Sequence, residues 1–203
     1  NAVVNPKMNE DIFVKDLAGV GVALALICTL WSGEGTEFRR ENFQELLELA
    51  AIGTVADSVP LVGCNRTIVK HGLKGLGDTA NIGLAALFEV EGFKNKKDFD
   101  VADISFKIAP CINAVGRIGD AGDAVELLIS DSLQQAWEMA KKLHRENAVR
   151  QNLDGAVFLE VLEIIEKEID LEREKVIVLA SDNWHPGVIG ITAARLVQRL
   201  NMP

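Results

Sequence analysis

The chain has 203 residues, of which 48% are hydrophobic and 25% are charged, enough to bury the core of one domain or slightly more. A net charge of −9 excludes a surface that binds nucleic acid through positive charge alone, because Lys and Arg supply most of that affinity. Three cysteines without a C-x-x-C pair exclude a disulfide framework or a zinc cluster, and they are typical of a reducing cytoplasm.

The first predicted elements are two helices. An apolar run over residues 17–31 is shorter than the roughly 20 residues of a membrane-spanning helix, so it predicts a buried core helix. No charged segment with a cleavage site precedes it, so no signal peptide and no membrane attachment are expected. Between Phe43 and Ala51, apolar residues recur at helical spacing and predict an amphipathic helix that leads directly to Asp57.

Shorter elements follow in the middle of the chain. They are predicted in this order: a helix capped by Asn65 or Thr67, a helix over 79–90, a surface loop over 91–103, a strand over 105–108 and a helix from Asp123. Residues 131–169 are highly charged with a narrow apolar stripe, which predicts a long helix connecting two domains.

The last predicted elements indicate an α/β unit. The apolar run over 175–180 is typical of a buried parallel strand, and a helix is predicted from Gly187 to Leu200. The fold class predicted for the chain is therefore α/β, with a mostly helical first part, a long connecting helix and the start of a second α/β domain.

Three stretches carry candidate functional residues. Asp57 ends an apolar run, so it is either a carboxylate ligand for a divalent cation or a cap of the following turn. Arg117 lies between two glycines and offers a planar fork for phosphate oxygens, with Asn113 nearby to orient the turn, although a solvated surface arginine fits equally well. His185 and Gly187 begin a helix, where they either bind a phosphate or simply form the helix start.

Several motifs occur together in one order along nearly the whole chain. They are Asn5-Pro6, the run from Leu17 to Ala23, Gly53–Leu61, Asn65-Arg66, Ala109-Pro110, Ile112–Arg117, Asn147 with Arg150, and Trp184–Ile191. In this combination the chain resembles the RecJ family of single-strand-specific DNA exonucleases, within the DHH phosphoesterase superfamily.

The resemblance implies a particular domain organisation. Residues 1–125 would be the C-terminal part of a DHH catalytic domain, residues 126–170 a connecting helix, and residues 171–203 the beginning of a DHH-associated substrate-binding domain. Single-stranded DNA would thread between the two domains, and single-strand-binding protein and a helicase are the partners implied.

The resemblance also implies the chemistry. The family hydrolyses phosphodiesters from a 5′ end with two Mn²⁺ or Mg²⁺ ions, in DNA repair and recombination. Asp57 would be a metal ligand and the catalytic residue retained here. Asn113 and Arg117 would border the substrate channel, while His185 and the helix start at Gly187 would hold a DNA phosphate.

Departures from the family pattern leave alternatives open. The Asp-x-Asp and Asp-His-His motifs are absent from these residues and are expected before Asn1, so we expect this piece to be inactive alone. Cys111 stands where relatives usually have arginine, which predicts one weaker phosphate contact. A DHH phosphoesterase of short oligonucleotides or small nucleotides would need a Gly-Gly-Gly-His loop where this chain has His185-Pro186-Gly187. A catalytically silent replication scaffold is the third alternative.

Overall fold

The structure is a computed structural model that describes residues 4–8, 15–33 and 40–203. The α-helices are, in chain order, α1 (Gly19–Gly33), α2 (Arg40–Ala56), α3 (Gly63–Gly75), α4 (Ile82–Val90), α5 (Val101–Asp103), α6 (Ala109–Ile118), α7 (Gly122–Ile129), α8 (Leu133–Glu168) and α9 (Pro186–Leu200). Short 3₁₀-helices lie at Pro6–Met8 and Leu76–Asp78, and a π-helix, Ile104–Ile108, joins α5 to α6.

The first helix is confirmed, but only one of its faces is buried. Leu24 packs against α2 and α3, whereas Leu26 and Leu30 on the other face are largely exposed. The prediction of a fully buried helix was therefore wrong for the outer face. Helix α1 is apolar on all sides, so its sequence does not reveal which face is buried. In the structure, α2 and α3 cover one face, and no described residue covers the other.

Helix α3 begins earlier than the sequence predicted. Its N-cap is Val62, not Asn65 or Thr67. The Asn65 amide instead donates to the main-chain carbonyls of Asp16 and Pro60, at 2.7 and 3.0 Å. Asn65 therefore ties the segment before α1 to the loop after α2, a long-range role that a local capping pattern does not reveal.

The larger core lies where α4, the π-helix, α6, α7 and the first half of α8 meet. Its most deeply buried large side chains are Leu76, Leu84, Leu87, Ile104, Ile108, Leu127 and Leu143. The prediction of a surface loop over 91–103 was wrong in part, because the segment ends in α5 and contributes Phe93 and Phe99 to this core, with their ring centroids 5.4 Å apart.

The strand predicted over 105–108 is instead π-helical. Asp100 and Asp103 form a reciprocal capping box that starts a helix at Val101. Pro110 has no N–H to continue an α-helical ladder, and the backbone widens just before it, where Ala109 donates to the carbonyl of Ile104, five residues back. The proline is thus absorbed within a helix, so it does not mark the end of a strand.

Helix α8 confirms the long helix predicted over 131–169. Its first half packs in the larger core through Ala136, Ala140 and Leu143. Its second half forms a smaller cluster with α9, centred on the buried residues Val157, Val161, Ile165 and Val188. The same helix therefore contributes to two separate hydrophobic clusters.

The run over 175–180 is extended but is not a strand, so the predicted buried strand is not formed. Ile177 and Leu179 pack on the smaller cluster, while Val176 and Val178 on the opposite face are 54% and 84% exposed. The only backbone hydrogen bond of this run to a distant described residue is from Ile177 to Pro203. A strand needs a neighbour to pair with, and no described residue supplies one. The mostly helical architecture is confirmed, and the β component is absent from the described residues.

Candidate functional site

The end of helix α2 presents Asp57 at the rim of a cavity of about 750 Å³. The turn that follows places Ser58 in the left-handed region, with φ of 56°, which is uncommon for a residue other than glycine. Within the described residues, the Asp57 carboxylate has no hydrogen-bond or ion-pair partner. It therefore does not cap the following turn, and none of the described residues occupies its oxygens.

Helix α6 places Asn113 and Arg117 in the lining of the same cavity. The two residues are one helical turn apart, so their side chains lie on one exposed face. The opposite face, with Cys111, Ala114 and Val115, is buried in the larger core. Packing of that apolar face turns Asn113 and Arg117 outwards, and the cavity brings three of the predicted site residues together.

A second cavity of about 190 Å³ adjoins the first and shares Asn113 and Arg117 with it. Its other polar lining residues are Ser58, Ser105 and Arg150. The lining holds two arginines and no carboxylate, in a chain whose net charge is −9. Sequence reasoning gave Arg150 no role, although its spacing of three residues from Asn147 on a helix places the two side chains side by side.

The start of helix α9 meets α6 at Arg117. The Arg117 Nη1 donates to the carbonyl of Gly187 at 3.3 Å. A side-chain carbon at position 187 would lie 2.2 Å from the Arg117 carbonyl oxygen, so only glycine permits this approach. The ring of His185 is the N-cap of α9, because its Nδ1 accepts from the Gly187 N–H at 3.0 Å. His185 is exposed and lines neither cavity.

A chain of hydrogen bonds, buried at its centre and part-buried at both ends, runs behind α6. Arg150 donates through Nε and Nη2 to Asn147 Oδ1, at 3.2 and 2.9 Å. Asn147 Nδ2 donates to Cys111 Sγ at 3.2 Å, and this thiol donates to Glu91 Oε1 at 3.0 Å. Burial and then the hydrogen bond and charge of Glu91 raise the pKa of Cys111, which keeps the thiol protonated. His144 Nδ1 lies 2.7 Å from the same Glu91 oxygen.

This arrangement places Cys111 in the interior. Its side chain lies on the buried face of α6 and lines neither cavity. The residue at this position therefore acts on the cavities only through Asn147 and Arg150.

The described residues do not assemble a metal centre by themselves. No group of three or more His, Cys, Asp or Glu side chains among them is arranged to hold an ion. Mg²⁺ and Mn²⁺ prefer several oxygen ligands in fixed geometry, and Asp57 could supply only one of these ligands. None of the described helices is both long enough and apolar enough to cross a membrane.

Known proteins of similar sequence are RecJ exonucleases, although no family model matches the chain. The chain is 39% identical over 204 residues to the single-stranded-DNA-specific exonuclease RecJ of Bacillus subtilis (strain 168), covering 100% of this chain and 24% of that protein. It is 37% identical over 201 residues to RecJ of Thermus thermophilus, covering 99% of this chain and 28% of the relative.

Solved structures of similar fold are also RecJ structures. The crystal structures of Thermus thermophilus RecJ in complex with Mn²⁺ and with Mg²⁺ match with TM-scores of 0.83 and 0.84, each at 35% identity. These matches cover 98% of this chain and 28% or 30% of those chains. The resemblance to RecJ is therefore confirmed along the whole chain, and the chain spans about a quarter of the length of these relatives.

Proposed function

We propose that this chain is the part of a RecJ-type exonuclease that binds the phosphates of single-stranded DNA beside the reacting phosphodiester. The observation that carries the proposal is the cavity shared by Asp57, Asn113 and Arg117. A carboxylate and an arginine, neither of which has an ion-pair partner among the described residues, meet an amide there, which is a suitable set of groups for a phosphate and a cation.

Each residue has a distinct role in this proposal. Arg117 holds phosphate oxygens with its guanidinium, and Asn113 orients the same group through its amide. Asp57 supplies one oxygen ligand to Mn²⁺ or Mg²⁺, and the other ligands of a two-ion site come from outside the described residues. At the start of α9, His185 and the Gly187 N–H, which now donates to the His185 ring, would together hold a DNA phosphate.

The reaction proposed is hydrolysis of phosphodiesters from a 5′ end, in DNA repair and recombination in the cytoplasm. The proposed parts are the catalytic-domain segment 1–125, the connecting helix 126–170 and the start of the substrate-binding domain at 171–203. We expect the chain to lack activity alone, because the described residues do not complete a metal site. Single-strand-binding protein and a helicase are the proposed partners.

The proposal is tested with the full-length protein that contains this chain, assayed on 5′-labelled single-stranded DNA with Mn²⁺. Asp57→Ala is expected to lower the rate by at least about 100-fold, because loss of a group that merely supports a metal ligand already costs about 10- to 100-fold. Glu126→Ala, which removes an exposed carboxylate on α7, is the matched control and is expected to leave the rate unchanged.

The other outcomes distinguish the alternatives. An inactive full-length protein would favour a silent scaffold. Faster hydrolysis of dinucleotides than of long single strands would favour a phosphoesterase of small nucleotides. Undiminished activity of the Asp57→Ala variant would remove this residue from the catalytic site.

A further inference from the structure

We infer that Arg150 is a second phosphate-binding residue, and that the buried chain Asn147–Cys111–Glu91 holds its guanidinium towards the second cavity. This inference rests on the proposed function, because it names a further contact to the same single-stranded DNA. It concerns the smaller cavity, which adjoins the Asp57 cavity across Asn113 and Arg117.

The charges around the smaller cavity favour an anion. Arg117 and Arg150 both line it, and neither forms an ion pair with any carboxylate in the described part of the chain. The hydroxyl-bearing residues Ser58 and Ser105 complete the polar lining. Two adjacent cations without a counter-ion repel each other, and a phosphate held between them removes that repulsion.

The guanidinium of Arg150 is oriented but not saturated. A guanidinium has five N–H donors, and the contacts through Nε and Nη2 to Asn147 use two of them. The remaining N–H groups have no acceptor among the described residues. Because arginine loses much side-chain freedom when it binds, a residue already held in place binds a phosphate at a lower entropic cost.

The donors along the buried chain all point the same way. Arg150 donates to Asn147, Asn147 to Cys111, and Cys111 to the Glu91 carboxylate. Hydrogen bonds aligned in this manner polarise one another, and the negative charge at the end fixes their direction. The Cys111 thiol donates its proton to Glu91, so it can only accept a hydrogen bond from the Asn147 NH₂ group. The amide oxygen of Asn147 is thereby directed towards the guanidinium of Arg150.

The test measures binding of a fluorescently labelled oligothymidylate to the full-length protein that contains this chain, by anisotropy, over a series of salt concentrations and without divalent cations so that the strand is not cleaved. Arg150→Ala is expected to weaken binding about tenfold or more and to reduce the slope of log affinity against log salt by about 0.7, the value for one phosphate contact on a single strand. Arg145→Ala removes the same charge from an exposed position of α8 and is expected to change neither quantity.

The positioning role is tested by a double-mutant cycle. Asn147→Ala is expected to weaken binding about as much as Arg150→Ala, but to have no further effect when Arg150 is already alanine. A purely structural role for Asn147 would instead weaken binding to the same degree in both backgrounds. Arg150→Lys, which keeps the charge and does not disturb the core, is expected to retain the salt slope and to lose part of the affinity.

The outcomes separate this inference from the function on which it rests. If Arg117→Ala loses binding while Arg150→Ala matches the Arg145→Ala control, the inference is overturned and the proposed function stands. If the unmodified full-length protein shows no salt-dependent binding of the oligothymidylate, the proposed DNA-binding function is overturned, and the role of Arg150 with it.

Discussion

The two halves of helix α8 differ in how they are held. The first half lies in the larger core, where Ala136, Ala140 and Leu143 are fully buried. The second half has a smaller cluster, covered on one side by α9 and by the extended run over 175–180, whose outer face is exposed. Hydrophobic burial therefore decreases along a single continuous helix.

Polar contacts take a larger share where apolar burial is smaller. The buried carboxylate of Asp154 accepts from Thr192 Oγ1 at 2.8 Å and from Arg195 Nη1 at 2.7 Å. The guanidinium of Arg195 also lies over the ring of Phe158, 3.9 Å from its centroid. Directional contacts of this kind fix the register of α9 on α8, and so the position of Gly187 on Arg117. The larger core therefore stabilises the fold mainly through the amount of apolar surface it buries. The smaller cluster mainly fixes the position of α9 on α8.

The largest effect is expected in the larger core. Leu143→Ala leaves a cavity at a fully buried site and should lower the free energy of unfolding by about 2–5 kcal/mol. Leu133→Ala, on the same helix but 67% exposed, should change it by less than about 0.5 kcal/mol. Urea unfolding followed by circular dichroism measures both. Equal losses in the two variants would contradict the assigned core.

The contact between the two regions should be next in sensitivity. Gly187→Ala places a methyl group against the Arg117 carbonyl and should destabilise the chain by about 1–3 kcal/mol, because the start of α9 must move away. Gly190→Ala, later in the same helix, meets nothing within 4 Å and serves as the control. Thermal unfolding of the two variants gives the comparison, and a stable Gly187→Ala chain would show that α9 does not lie where it is described.

A smaller and local effect is expected at Asp154. Asp154→Asn keeps an acceptor for Thr192 but loses the charge that binds Arg195, at a cost of about 1 kcal/mol, since the half-exposed guanidinium is screened by solvent. Hydrogen exchange should quicken in α9 and not in α4. Glu160→Gln, an exposed change on the same helix, should alter neither. Uniform acceleration in both helices would mean that the two clusters unfold together.

The smallest effect concerns the pH dependence of a carboxylate beside the larger core. Burial raises the pKa of Asp103, but the hydrogen bonds from Lys96 and the Asp100 N–H, with the charges of Lys96 and Lys107, hold it below its ordinary value of 3.8. A lowered folded pKa contributes stability above that ordinary value, and the contribution is lost as pH falls through the folded pKa. Asp103→Asn should therefore cost less than about 1 kcal/mol at pH 7 and nothing in strong acid. Unfolding of both proteins across this pH range checks the sign.

The sequence predicted the elements whose signal is local and repeated. The long helix α8 follows from a charged stretch with a helical stripe, and α2 follows from its amphipathic spacing up to Asp57. The same patterns do not show which neighbouring strands or helices are present to pack against an element. The run over 175–180 has strand composition, yet it lacks a neighbour to pair with among the described residues, and α1 has an apolar face with nothing described against it.

The candidate site was predictable in part for the same reason. Asn113 and Arg117 lie close together in sequence, and their spacing places them on one face of a helix. Arg150 was recognised only as part of a family motif and was given no role, because its position depends on contacts 36 residues apart, between Asn147 and Cys111. The interruption before Pro110 also misled, because a proline after a β-prone run resembles the end of a strand.

Because of the π-helical turn at Ile104–Ile108, the direction in which the side chains of α6 point depends on the number of residues between α5 and α6. An α-helix rotates by about 100° per residue, and a π turn accommodates one extra residue. Deleting a single residue from this segment would restore a regular α-helix and rotate α6 by that angle relative to α5. Asn113 and Arg117 would then face away from both cavities, even where the deleted residue lines neither of them. An insertion or deletion here would thus change the site more than most substitutions within it.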